Sequence, residues 1–332
     1  MVHKKLALFL GLSVGLTACT ESSSRDYTGP ESEADIAESQ AAVANTWAIK
    51  KHMMTLLGQV KAGVISNTVY VVGGRVSGTG DARAHLQAYN VSTNTWSLRK
   101  PLPSPRRGIN GVSTINGKLY VTGGFNNSAA LTRTLYVYTP GTNSWVQRAN
   151  LPRPAGCGAQ GVINNLLYVY AGCTGVPHDD RLFRYNPATN IWTTLRAPPT
   201  QHASPAAAGV IVGKFYLTGG VTDGLENNQA LHVYNPATNS WSTRAPMPGV
   251  QAGAAFAVLN NKLHSAGGSD ESGTVVSNLR VYTPGTNSWA NRAPMPTARF
   301  DAAGVAAGGL FFVMGGTLPD GNSTADSEAY TP

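Results

Sequence analysis

Cysteine is scarce in this chain of 332 residues, with three in all, at 19, 157 and 173. That number is too small for a disulfide scaffold or a cysteine-rich metal fold. The seven histidines, at 3, 52, 85, 178, 202, 232 and 264, show no ligand spacing, and His178-Asp179-Asp180 reads as a polar turn. No metal or cofactor is therefore expected. The longest apolar run, Leu6 to Leu16, is too short to span a bilayer as a mature helix. A Gly-x-Ser-x-Gly elbow is missing, which removes that route to a serine nucleophile. The abundant glycines lie on a β pattern with no helix after them, so they make no phosphate loop.

What is present is a repeat. The six tryptophans stand at 47, 96, 145, 192, 241 and 289, giving spacings of 49, 49, 47, 49 and 48. Tyr89, Tyr138, Tyr185, Tyr234 and Tyr282 each precede a Trp by seven residues, and an Asn lies two before each Trp. A second landmark keeps the same period: Gly73-Gly74, Gly123-Gly124, Gly219-Gly220, Gly267-Gly268 and Gly315-Gly316, with Ala171-Gly172 in the third unit. Each closes a short β-branched or aromatic run, such as Val69-Tyr70-Val71-Val72, that reads as a strand. Turn pairs just upstream (Asn116-Gly117, Asn260-Asn261, Gly308-Gly309) suit a tight hairpin, and Val212-Gly213 is the poor fit. Each unit therefore reads as four strands.

Gly-Gly after an apolar strand, then Tyr, then Trp, at a period near 50, resembles the kelch repeat family over residues 45–332. The resemblance implies an all-β β-propeller of four-stranded blades around a central channel. The WD type is a poorer match, because its shorter period and its His and Trp-Asp signature do not occur. The last unit reaches Tyr330-Thr331-Pro332 without a Trp strand, and Asn45-Thr46-Trp47 supplies one. Six blades are expected, the last completed by the N-terminal strand, which removes a free sheet edge.

Residues 1–18 read as a signal peptide, with Lys4 and Lys5 before the apolar run. Leu16-Thr17-Ala18-Cys19 resembles the lipobox of bacterial lipoproteins, which implies a lipidated Cys19. Thr20 after it implies the outer membrane, facing the periplasm or the surface. Residues 19–44 hold six acids against one base and almost no apolar pattern, so they read as a disordered tether. The lipid is the one membrane contact expected.

Setting those segments aside leaves a propeller with about 11 more basic than acidic residues. Arg99, Arg148, Arg244 and Arg292 follow a Trp by three residues and belong to the repeat. In kelch propellers the loops after Gly-Gly and those before the innermost strand share one face, which the resemblance makes the ligand face. Here those loops carry Arg75, Arg83, Arg133 and Arg181, and Arg106, Arg107, Arg153, His202 and Arg299. The acids on them include Asp81, Asp179, Asp180, Asp223, Asp270, Glu271, Asp301 and Asp320. The bland reading is a solvated mixed rim. The functional reading is a basic funnel for carboxylates, sulfates or phosphates, with Arg106, Arg107, Arg153, Arg299, Arg75, Arg133, His202 and Asp301 as ligand contacts.

Cys157 and Cys173 fall on the first and second strands of the third unit, one place out of register. In an oxidising compartment a disulfide through a bulge competes with two buried free thiols. Nucleic acid is not expected as a partner, because no aromatics interleave with the basic residues. Three functions remain: a binding propeller for an acidic glycan or a protein partner, a sugar-modifying enzyme, and a structural module of an envelope assembly. For the enzyme, the N-acetylneuraminate epimerases are a similar family of exported six-bladed kelch propellers acting on a carboxylated sugar. There Asp301 beside Arg299 would be the acid–base candidate.

Overall fold

In a computed structural model of the chain, described here for residues 44–174, 181–222 and 226–332, twenty-four strands form six antiparallel four-stranded sheets. Blades 1 to 5 each take four consecutive strands, within 61–98, 111–148, 159–194, 207–244 and 255–292. Blade 6 takes three strands within 303–331 and closes on Thr46–Lys50, whose Trp47 pairs with Tyr330. The sequence expectation of six blades and an N-terminal closing strand holds. The signal peptide, Cys19 and the tether up to residue 43 lie outside the described residues, as do His178-Asp179-Asp180 and Asp223.

The Tyr–Asn–Trp pattern is a clamp between neighbours. In blade 2, Tyr138 donates its hydroxyl hydrogen bond to Asn143 Oδ1 at 2.7 Å, and the backbone N–H of Lys100 from blade 1 donates to the same oxygen at 3.0 Å. Trp145 Nε1 then donates to the Lys100 carbonyl at 2.8 Å. The Asn143 φ of 46° aims this side chain, and Asn tolerates that left-handed backbone. The other five units repeat the arrangement. Each Tyr ring also lies 5.0–5.4 Å from its Trp. Such aromatic pairs add about 0.5–1.5 kcal/mol beyond their area burial.

The Gly-Gly pairs do the matching work nearer the axis. Gly74, Gly124, Gly268 and Gly316 donate their N–H to the carbonyls of Arg106, Ala155, Arg299 and Leu57 in the next blade, at 2.8–2.9 Å. A Cβ on the preceding glycine would sit 2.1–2.6 Å from the same carbonyls, so no side chain fits. Apolar clusters fill the space between sheets, as where Tyr70, Val72 and Leu86 of blade 1 meet Leu119, Val121 and Tyr138 of blade 2. Val212, the unsuitable turn residue, adopts a φ of 45° with its side chain 84% exposed, where nothing crowds it.

Candidate functional site

The innermost strands leave an axial channel with a cavity of about 310 Å³, lined by residues of all six blades. Its wall is mostly small and apolar: Ala62, Val64, Val112, Val162, Ala208, Val210, Val258 and Ala306. At the Gly-Gly end the channel narrows to a collar of six residues, Gln59, Gly108, Cys157, Ser204, Gly253 and Asp301. All six have φ between 47° and 64°. They are linked in sequence by backbone hydrogen bonds: Gly108 N–H to Gln59 O, Cys157 to Gly108, Ser204 to Cys157, Gly253 to Ser204 and Asp301 to Gly253, at 2.7–3.2 Å. The Gln59 side chain spans the remaining junction by hydrogen-bonding the Asp301 carboxylate. Left-handed backbone costs a non-glycine residue about 1 kcal/mol or more, so four such residues in one ring mark this as a place where side chains matter.

The collar side chains surround a water-sized pocket of about 40 Å³, shared with Lys61. Burial is the main influence on the Asp301 carboxyl and raises its pKa, while Lys61, Gln59 and Arg75 oppose the shift. Burial also lowers the Lys61 ammonium pKa, against the pull of Asp301. Lys61 Nζ lies 4.6 Å from the Phe256 ring centroid, a cation–π contact while it is protonated. Arg107 donates to Gln59 Oε1 at 3.2 Å and stacks over Phe125 at 5.2 Å. Arg75, bridged through its backbone to Gly58, adds a guanidinium to the surroundings of Asp301.

Of the residues expected to contact ligand, Asp301, Arg75 and Arg107 meet at this mouth. Arg106, His202 and Arg299 do not. They share one repeat position, two before the collar, where the chain turns into the blade, and Leu57, Ala155 and Gln251 fill that position elsewhere. All three are at most 6% exposed, which corrects their assignment to a ligand surface. Arg299 forms a buried ion pair with Glu328 at 2.5 Å, so it belongs to the closure of blade 6 rather than to a catalytic pair with Asp301. Arg106 donates to the Pro105 carbonyl and sits over Tyr136 at 5.9 Å. His202 Nδ1 lies 2.9 Å from the Gly219 carbonyl, which requires the proton on Nδ1, and burial drops its pKa to about 3. Arg133 and Arg153 are exposed on outer loops, and Arg133 Nε donates to the Leu151 carbonyl.

Several loop acids serve their own turns. Asp270 accepts from Ser272 and Thr274, Asp320 from Asn322, and Asp81 lies 3.8 Å from Arg83. In the structure Cys157 and Cys173 are not joined by a disulfide, and their thiols are in hydrogen-bonding contact. Cys173 pairs through its backbone with Gly156, so the one-residue offset is not repaired by a bulge. That contact and burial hold the Cys157 thiol well above its usual pKa.

The Kelch-repeats domain model described as KLHDC2/KLHL20/DRC7 matches residues 59–251, and the Kelch motif model matches residues 250–296. The chain belongs to the kelch repeat family. No curated protein matches this kelch chain. Among solved structures, that of YjhT superposes with a TM-score of 0.71 at 19% identity, covering 84% of this chain and 95% of the other. At that identity the likeness is one of fold, and the collar must be read from this chain's own residues.

Sequence reading missed Gln59, Lys61, Ser204 and Phe256. Their signal lies down the columns of the repeat, where a position held by small residues in most blades changes in one.

Proposed function

We propose that this kelch propeller is a lipid-anchored cell-envelope protein that binds an acidic ligand, a glycan or a protein segment, at the collar end of its channel. The observation that supports it is the convergence of Arg75 and Arg107, with the Lys61 amine, on a collar whose one acid is Asp301. Low-dielectric walls strengthen the field of such a group toward an incoming carboxylate or sulfate. The anchor rests on the Cys19 pattern. It is tested by release of a Cys19→Ser variant from membranes.

The binding test is an array of sialylated, uronic-acid and neutral glycans, with an acidic peptide as a further probe. Arg75→Glu with Arg107→Glu should abolish capture of acidic probes at low salt, while Arg133→Glu leaves it intact. Capture unchanged in the double variant removes the reading.

A second reading, a sugar-modifying enzyme, is favoured by a carboxyl held up and an amine held down beside the same pocket. Groups shifted in this way suit general acid–base work. NMR exchange between the anomers of N-acetylneuraminate decides it, since a rate equal to that in buffer ends the idea.

A further inference from the structure

Lys61 opens the first strand of blade 1. The same repeat position holds Gly111, Ala159, Ala207, Ala255 and Ala303 in the other blades. Alanine serves in four of those five, and their sheets form alike, so the fold does not need an amine there. Phe256, which faces Lys61, occupies a position filled elsewhere by Ala62, Val112, Gln160, Ala208 and Gly304. Asp301 is the one acid of the collar. Three departures from the repeat thus meet at one point, and each puts a group with its own chemistry where a small residue would suffice.

The surroundings suit covalent capture of a carbonyl. Lys61 lines both the cavity of about 310 Å³ and the pocket of about 40 Å³ that it shares with Asp301. The larger space has room for a ligand of several carbons against apolar walls. The smaller one has room for a water molecule.

We infer that Lys61 is a nucleophilic amine that forms a reversible imine with a small oxo acid in the channel, with Asp301 as the proton donor. The amine lone pair attacks the carbonyl carbon. The oxygen takes a proton as the nitrogen loses one, giving a carbinolamine. The Asp301 carboxyl then protonates the hydroxyl, the carbon–oxygen bond breaks, and water leaves toward the collar pocket as C=N forms. The carboxylate left behind pairs with the iminium, and hydrolysis runs the same steps backward without net oxidation. Burial favours the starting forms, a neutral amine and a protonated carboxyl. The choice of an acid as ligand rests on the binding reading above; the imine itself does not.

The folded protein is incubated with pyruvate and sodium cyanoborohydride, then digested and read by peptide mass spectrometry. The hydride reduces the iminium to a secondary amine and leaves one carboxyethyl group. The expected result is modification of Lys61 roughly ten-fold faster than of the exposed Lys118 and Lys214 near neutral pH, because burial lowers its pKa and leaves more of the amine unprotonated. Lys61→Arg should lose it while keeping the parent's melting temperature, and Asp301→Asn should slow it. Even labelling of all three lysines overturns the proposal. So does binding of pyruvate, seen by calorimetry, with no label on Lys61. A parallel arm uses propanal: trapping at Lys61 with propanal but not with pyruvate upholds the imine and defeats the acidic-ligand reading.

Discussion

The hydroxyl of Tyr330 donates to Oδ1 of Asn45 at 2.9 Å, across 285 residues of chain. In blades 1 to 5 the same bond joins residues five apart. The seam of the ring therefore repeats a local contact with a non-local one. Asn45→Ala strips the acceptor from Tyr330 and from the Ala293 N–H, and should cost about 1–3 kcal/mol in denaturant unfolding. Asn143→Ala should cost about the same. A loss at Asn143 with none at Asn45 would show that the seam is not made in solution.

Arg299 and Glu328 should behave as a buried pair rather than as a binding site. Arg299→Leu leaves Glu328 charged and unpaired, and is expected to destabilise by about 3–5 kcal/mol. Arg299→Leu with Glu328→Leu should recover much of that loss, because neither charge then needs a partner. Equal melting of the single and double variants would count against the pairing.

His202 offers a pH test with a fixed sign. Folded, its pKa is about 3, and His264 stands at about 4, while both start from 6.5. Between those values the unfolded chain binds protons that the folded chain refuses, so stability falls as pH drops from 6.5 toward 3. Gln251, at the repeat position of His202, bonds the Gly267 carbonyl as His202 bonds that of Gly219. His202→Gln should therefore keep the fold and flatten the stability–pH curve in that window. An unchanged slope by denaturant titration at each pH would refute the assignment.

Lys61→Ala restores the residue that most blades use. It should stabilise the protein by about 0.5–2 kcal/mol, as removal of a functional group from a strained or desolvated site commonly does. Thermal melting at neutral pH reads the effect. A drop in melting temperature would make Lys61 a structural residue.

The ring was legible because its determinants recur: Tyr, Asn, Trp and Gly-Gly each answer a backbone need that arises once per blade. Val212 shows how weak a single exception is, since an exposed turn can absorb it. The mouth was legible only in part. Arg75, Arg107 and Asp301 were found by charge and loop position, yet the same criteria selected Arg106, His202 and Arg299, which turn inward. Charge does not say which way a side chain points, and two residues along the chain separate Arg299 from Asp301. Lys61 carried no motif, and its meaning lay in what the other blades lack there. The cysteines stand where the register count put them, with Cys173 opposite Gly156 and one place from Cys157.

Five of the six links of the collar are made by main-chain atoms, and the sixth by Gln59 on Asp301, so the side chains of Cys157 and Ser204 are spectators of their own scaffold. Swapping letters at 157 or 204 for others that accept left-handed geometry, such as Asn, Asp or Gly, leaves the hoop of peptide groups intact. A protein built this way can change what it recognises by single-codon steps at a rim that bears no weight. The present Gln, Gly, Cys, Ser, Gly and Asp are then one spelling among many that the same wheel could carry.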